Sequence, residues 1–169
     1  MSGSAGGGPA GGSAAGGSVE RVRAALLAAG HPDTITAFPA GTRTAADAAA
    51  AVGCTVAQIA KSIVFRAAGR AALIVASGAN RVDQAKAGAL LGVPLARADA
   101  DWVREVTGFA IGGVAPIGHL TAPLLLLDED LQALDPIWAA AGSPTHVFRT
   151  TAAQLHRITG AAWAAVRAG

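Results

Sequence analysis

Lys61-Ser-Ile-Val-Phe-Arg-Ala-Ala-Gly-Arg-Ala-Ala-Leu-Ile-Val-Ala-Ser77 is the stretch on which the fold class turns. Ile63, Val64 and Phe65 form a β-prone run, Ala68-Gly69-Arg70 supplies a turn, and Leu73–Ala76 gives a second run. The segment therefore predicts a β-hairpin. Upstream, Val19, Val22, Leu26 and Leu27 fall at helical spacing before the stop signal of Gly30. His31–Gly41, with Pro32, Pro39 and Gly41, reads as an extended or short-strand connection. Thr44-Ala-Ala-Asp47 matches a capping box that opens an alanine-rich helix to Val52, and Thr55-Val-Ala-Gln58 repeats the pattern on a shorter turn.

Downstream, Val82–Leu91 reads as a helix ending at Gly92, and Asp99–Val106 as a helix capped by Asp99. Phe109–Ile111 is expected to be a short strand, followed by a Gly/Pro-rich loop over Gly112–Gly118. Leu124–Leu127 is the clearest strand. Ile137–Ala141 and His146–Phe148 flank Gly142-Ser-Pro-Thr145 as a second hairpin. Thr151-Ala-Ala-Gln154 caps a last helix expected to carry Leu155, Ile158, Ala162 and Val166. Helices and hairpins are mixed without regular βαβ alternation and without an internal repeat. That order predicts a mixed α+β domain of the broad α/β class, not a Rossmann fold.

The 169 residues are enough for one domain, and 52% hydrophobic residues are enough for a core. Residues 1–18 hold no charge and almost only Gly, Ala and Ser. They are expected to be a flexible tail, leaving residues 19–169 as the folded domain. The tail lacks the positive and apolar regions of a secretory signal, and no run approaches the roughly 20 apolar residues of a membrane span. The chain is expected to be soluble and cytoplasmic. A formal charge of +2, with no basic stripe, speaks against a large nucleic-acid footprint. One cysteine, Cys54, excludes an intrachain disulfide framework and any cysteine-based zinc site. His31, His119, His146 and His156 show no metal-ligand spacing, so no metal and no cofactor is expected.

Few residues stand out for chemistry. Of the 13 basic residues 11 are Arg, and Lys appears only at 61 and 86. A lysine kept at the start of a strand, where arginine serves elsewhere, suits a compact ammonium facing one oxygen or phosphate; it is otherwise a strand-edge surface residue. Thr107–His119 packs Gly108, Gly112, Gly113, Gly118 and Pro116 into about a dozen residues. Such a loop lets backbone approach a ligand, and its N–H groups can polarise a carbonyl; the bland alternative is a tight connection. It matches neither a phosphate-binding GxxxxGK[ST] loop nor GxGxxG. His119 closes this loop. Asp128 ends the Leu124–Leu127 run, where a carboxylate either projects into a site or caps the next turn. No GxSxG context supports a hydrolase triad.

Taken in order, Gln58-Ile-Ala-Lys61-Ser-Ile-Val-Phe65, Ala76-Ser-Gly78, Val82-Asp-Gln-Ala-Lys86, Gly112-Gly113-Val-Ala-Pro116-Ile-Gly118, Leu126-Leu127-Asp128 and Ala141-Gly142-Ser143 resemble the YbaK/ProX family of aminoacyl-tRNA editing domains, associated with prolyl-tRNA synthetase. The resemblance runs from about Phe38 to Ile158. It implies a single compact domain with a mixed, barrel-like sheet flanked by helices, and a hydrolase that deacylates mischarged tRNA in trans. It implies Lys61 as the essential lysine near the ester or adjacent phosphate, and Gly113, in the substrate-gripping loop, as the second catalytic residue. Gly112, Pro116, Gly118 and His119 would belong to the substrate-gripping loop. Asp128 would line the aminoacyl pocket, Gly142 and Ser143 would form another wall, and Phe38 would fill space that a tyrosine holds in the cysteine-specific members. The implied partners are aminoacyl-tRNA, tRNA-Pro above all, and prolyl-tRNA synthetase; cysteine, alanine, serine and threonine all remain open as the edited residue. A non-catalytic module binding tRNA or the synthetase, and a small-molecule hydrolase on the same fold, are the competing readings.

Overall fold

A computed structural model of the chain describes residues 10–38 and 44–169, with side chains from residue 17 onward. The elements run α1 (Ala10–Ala28), β1 (Ile35–Ala37), α2 (Ala45–Val52), β2 (Ile59–Ala67), β3 (Arg70–Ser77), α3 (Gln84–Leu91), β4 (Ala96–Arg97), α4 (Ala100–Thr107), β5 (Leu124–Asp128), β6 (Ile137–Ala140), β7 (His146–Thr150), α5 (Ala152–Thr159) and β8 (Ala162–Ala164). Short 3₁₀ turns cover Val56–Gln58 and Glu129–Ala133.

The hairpin expected at 61–77 is the centre of the molecule. β2 and β3 pair antiparallel from Ala60↔Ser77 to Ala67↔Arg70. Their two-residue connection places Ala68 at φ 52° and Gly69 at φ 87°. Positive φ at both central residues is what a tight hairpin turn with the twist of its strands requires. From Ala71 onward β3 is buried at every position, as a strand covered on both faces must be. The strands form one mixed eight-stranded sheet in the order β1-β7-β6-β2-β3-β5-β8, with β4 on β2, and helices flank it. β5 runs parallel to β3 on one side and to β8 on the other. The second hairpin pairs β6 with β7 antiparallel, and β1 extends it.

Helix boundaries follow their caps. The Thr44 hydroxyl accepts from the Asp47 N–H at 3.1 Å and the Asp47 carboxylate accepts from the Thr44 N–H at 3.2 Å, closing the expected capping box of α2. Asp83, Asp99 and Thr151 cap α3, α4 and α5 in the same sense. Each of these helices stops on a left-handed glycine: Gly53, Gly92, Gly108 and Gly160.

Two expectations are corrected. The last helix ends at Thr159 because Gly160 turns the chain at φ 64°; Ala162 lies on β8, paired with Leu126, and Val166 is buried beyond it. Phe109–Ile111 is not a strand. Gly108 at φ 83° and a tight turn closed by the Gly113 N–H on the Ala110 carbonyl (2.9 Å) bend the chain there, although the Phe109 side chain is fully buried. α1 begins at Ala10, within the stretch expected as a tail. Val19, Val22 and Leu26 bury the inner stripe of that helix, and the Ala/Ser/Gly segment continues its turns N-terminally. Residues 1–9 of the expected tail, and Pro39 and Gly41 of the expected connection, lie outside the described residues.

The main core packs α1, α4, α5 and the inner face of the sheet around Leu73, Val75, Phe109, Leu127 and Phe148. A smaller cluster of Ala48, Ala49 and Ile59, with Phe38 and Trp138 against it, seats α2 beside the β2–β6 junction. No helix among the described residues is long and apolar enough to cross a membrane.

Candidate active site

β2 pairs with β6 at Ile59 and Ala60, and with β4 at Phe65 and Arg66. Among the described pairings, Lys61–Val64 thus has no strand on that edge, and the sheet parts. A cavity of about 200 Å³ opens in the gap. Lys61 and Ser62 of β2 form one wall, and Thr44, Ala45 and Ala48 of α2 another. Gly112 and Val114 of the glycine-rich loop, Pro144 and His146 of the β6–β7 hairpin, and Phe38 complete it. A broader groove along α3 and Val93–Leu95 holds no ionisable side chain and offers nothing for chemistry.

Lys61 is half-buried, and among the described residues it makes no ion pair. Burial pushes its ammonium below the ordinary lysine range, and the negative field of Asp128 partly opposes this. The Ser62 hydroxyl oxygen is buried and has no hydrogen-bond partner among the described residues. On the facing wall the Ser143 hydroxyl lies 2.7 Å from Nδ1 of His146 and accepts from the Thr145 N–H at 3.1 Å. Of the His146 ring nitrogens, only Nε2 is left for a ligand.

The glycine-rich loop reaches this wall through close backbone packing. A Cβ on Gly113 would stand 2.6 Å from the Ser143 Cα, so glycine alone lets the loop lie flat on the hairpin turn. Gly112, at φ 93°, then presents backbone to the cavity.

Of the residues singled out in sequence, Lys61, Gly112 and Phe38 line the cavity, and Gly113 and Ser143 support its wall from behind. Gly142 faces away: a Cβ there would meet the Ser18 carbonyl oxygen at 2.6 Å. Pro116 is buried in the loop, and the Gly118 carbonyl accepts from Arg21. His119 hydrogen-bonds the Ala115 carbonyl through Nε2 at 2.6 Å and packs edge-on against Phe109; burial lowers its pKa. None of these four lines the cavity. Nor does Asp128, which is fully buried. Its carboxylate accepts from the Ser77 N–H (3.1 Å), the Asn80 amide (2.8 Å) and the Asp130 N–H (3.0 Å). It caps a turn and clips β5 to the end of β3, acting on Lys61 only through its field. Thr44, Ser62, Pro144 and His146 were not singled out as site residues; the parting of β2 from its neighbours brings them together, and no local sequence signal marks it. Among the described residues no His, Cys, Asp and Glu side chains gather into a metal site.

The gap in the sheet is thus a small cavity lined mostly by apolar side chains, with Lys61, Ser62, Thr44 and His146 as its polar groups. The model of the aminoacyl-tRNA editing domain matches residues 39–158, and the chain belongs to that family. Among solved structures it is similar to a candidate trans-editing enzyme for prolyl tRNA synthetase, at 47% identity and a TM-score of 0.86, covering 90% of this chain and 98% of that one. A scaffold used for computational epitope backbone grafting is similar at 44% identity and the same TM-score of 0.86, with 90% and 98% covered. The uncharacterised protein YwhH of Bacillus subtilis (strain 168) is 31% identical over 143 residues, 84% of this chain and 91% of that protein.

Proposed function

We propose that the chain is a trans-acting aminoacyl-tRNA deacylase that hydrolyses the ester of mischarged tRNA-Pro, carrying cysteine, alanine, serine or threonine. Prolyl-tRNA synthetase is the partner that would present the substrate. The observation that carries this reading is Lys61 on the wall of a small cavity between parted strands, in a chain of the editing-domain family. At about 200 Å³ the cavity is smaller than the roughly 300–1,000 Å³ of cofactor and drug-sized sites, and it suits the aminoacyl end of a larger molecule whose remainder stays outside. The low net charge of +2 agrees with a protein that leaves most of the tRNA grip to a partner.

An aminoacyl ester is already activated, so the site has to position it, polarise its carbonyl and admit water. Water adds to the carbonyl carbon, negative charge develops on the carbonyl oxygen, and the ribose oxygen leaves with a proton. The Lys61 ammonium and the backbone around Gly112 and Gly113 are the groups that supply positive charge and N–H dipoles near that oxygen. In the arrangement where the Ser143 hydroxyl donates to Nδ1, a neutral His146 ring carries its proton on Nε2 and offers the cavity one more donor. With a cysteinyl substrate, the substrate thiol can attack its own ester carbon, forming a cyclic thiolactone as the ribose oxygen leaves with the thiol proton; water opens the thiolactone afterwards, so no protein nucleophile is needed.

The test is a deacylation panel with purified protein and tRNA-Pro charged in turn with Cys, Ala, Ser, Thr and Pro. Release of one or more non-cognate residues, with prolyl-tRNA spared, is the expected result. Equal release from a simple amino-acid ester would point to a small-molecule hydrolase. No release from any substrate, with capture of the synthetase intact, would replace the enzyme by a binding module.

A further inference from the structure

The cavity wall formed by Gly112 and Val114 belongs to a segment without regular structure, and its two ends converge on one side chain of α1. The Arg21 guanidinium donates through Nε to the Gly118 carbonyl at 2.7 Å and through Nη2 to the Gly108 carbonyl at 2.9 Å. Its plane lies over the Phe109 ring, 4.7 Å from the centroid. Among the described residues Arg21 has no carboxylate partner, so its charge is committed to two carbonyl oxygens and an aromatic face. Packing repeats the pattern. A Cβ on Gly108 would meet Arg21 Nη2 at 2.5 Å, and the Ser18 hydroxyl reaches the same Gly108 carbonyl at 3.4 Å. α1 also lies N-terminal to residues 39–158, the span matched by the editing-domain model.

We infer that Arg21 is a positioning residue for the active site: it clamps both ends of the Gly108–Gly118 loop and so fixes the Gly112–Val114 wall opposite Lys61. This rests on the deacylase reading of that cavity. A fork of parallel N–H donors suits two carbonyls that must stay at a set separation, which a single ammonium cannot do. Released at both ends, the loop loses its placement against the Ser143 hairpin, and its internal turn opens more often. Misplacement of about an ångström in such a wall costs on the order of a hundredfold in rate, expressed in turnover because the oxygen being stabilised carries full charge only in the transition state.

The test compares wild type with Arg21→Met, which keeps apolar contact with Phe109, and Arg21→Lys, which can reach one carbonyl. Single-turnover and steady-state deacylation are read beside hydrogen exchange at the Gly113 and Leu120 amides, which bond to Ala110 and Thr107 in the intact loop. Expected for Arg21→Met is a fall in kcat of about tenfold to a hundredfold with KM nearly constant, and faster exchange at both amides. Arg21→Lys should fall between. Unchanged kcat overturns the inference, and so does unchanged exchange. If wild type deacylates no tRNA, the deacylase reading fails on its own, and the exchange measurement still decides whether Arg21 holds the loop. If Arg21→Met does not fold, Arg21→Lys carries both readouts.

Discussion

Gly113→Ala is the most informative single change. Gly113 is not among the residues at positive φ, so an added methyl meets no conformational penalty of its own. It meets the hairpin turn instead: its Cβ would stand 2.6, 2.7 and 2.9 Å from Cα, C and N of Ser143. Ordinary contact begins near 3.4 Å, so the loop or the hairpin must retreat by about 0.8 Å, and the obstacle is backbone, which cannot rotate aside. Overpacking of this kind costs about 1–3 kcal/mol, or roughly 2–12 °C in Tm for a domain of this size. The same retreat draws Gly112 away from the cavity, so deacylation should fall by about a hundredfold. Gly92→Ala separates the two effects. Gly92 sits at φ 76° in open space at the end of α3, so alanine there should cost about 1–2 kcal/mol of backbone strain and leave activity intact. Melting curves and single-turnover deacylation of both variants make the comparison. A Gly113→Ala protein as stable and as fast as wild type would refute the argument that the loop is pressed onto Ser143 and shapes the wall.

Asp128→Ala should cost about 3 kcal/mol by leaving the Ser77 and Asp130 N–H groups and the Asn80 amide without their acceptor, measured by denaturant unfolding. Lost deacylation at undiminished stability would instead place Asp128 in the chemistry. Because burial lowers the Lys61 pKa, activity that depends on the ammonium should decline on the alkaline side earlier than an ordinary lysine would require. Over that window the unfolded chain holds the extra proton, so the Lys61 contribution to stability rises with pH; Lys61→Met should flatten both profiles. Ser143→Ala removes the 2.7 Å link to His146 Nδ1 and should shift the ring's tautomer balance, visible in ¹⁵N shifts, with a several-fold loss of deacylation.

Local signals carried most of the fold. The two hairpins, the capped helices α2–α4 and the strand at Leu124 follow from turn glycines, Asp and Thr caps, and β-branched runs, all within a few residues of the elements they define. Where two local signals conflicted, the weaker one misled. Ala161–Val166 has helical composition, yet Gly160 ends α5, and pairing with β5 makes Ala162–Ala164 a strand. Phe109 is apolar because it is buried, not because it is extended. The site was legible at Lys61 and the glycine loop, whose residue types are unusual for this composition. Thr44, Ser62, Pro144 and His146 were not, because the gap between β4 and β6 that brings them together is a product of sheet topology. For Asp128 a strand-end carboxylate left two roles open; full burial with three donors around it favours the structural one.

The central claim is that Lys61 acts on an aminoacyl ester in the cavity between the parted strands. The direct measurement is the rate of hydrolysis of mischarged tRNA-Pro by wild type and by Lys61→Ala of equal thermal stability, under single-turnover conditions. The account predicts that the wild-type protein releases the non-cognate amino acid and that Lys61→Ala is slower by about a hundredfold or more. Equal rates for the two proteins would contradict it.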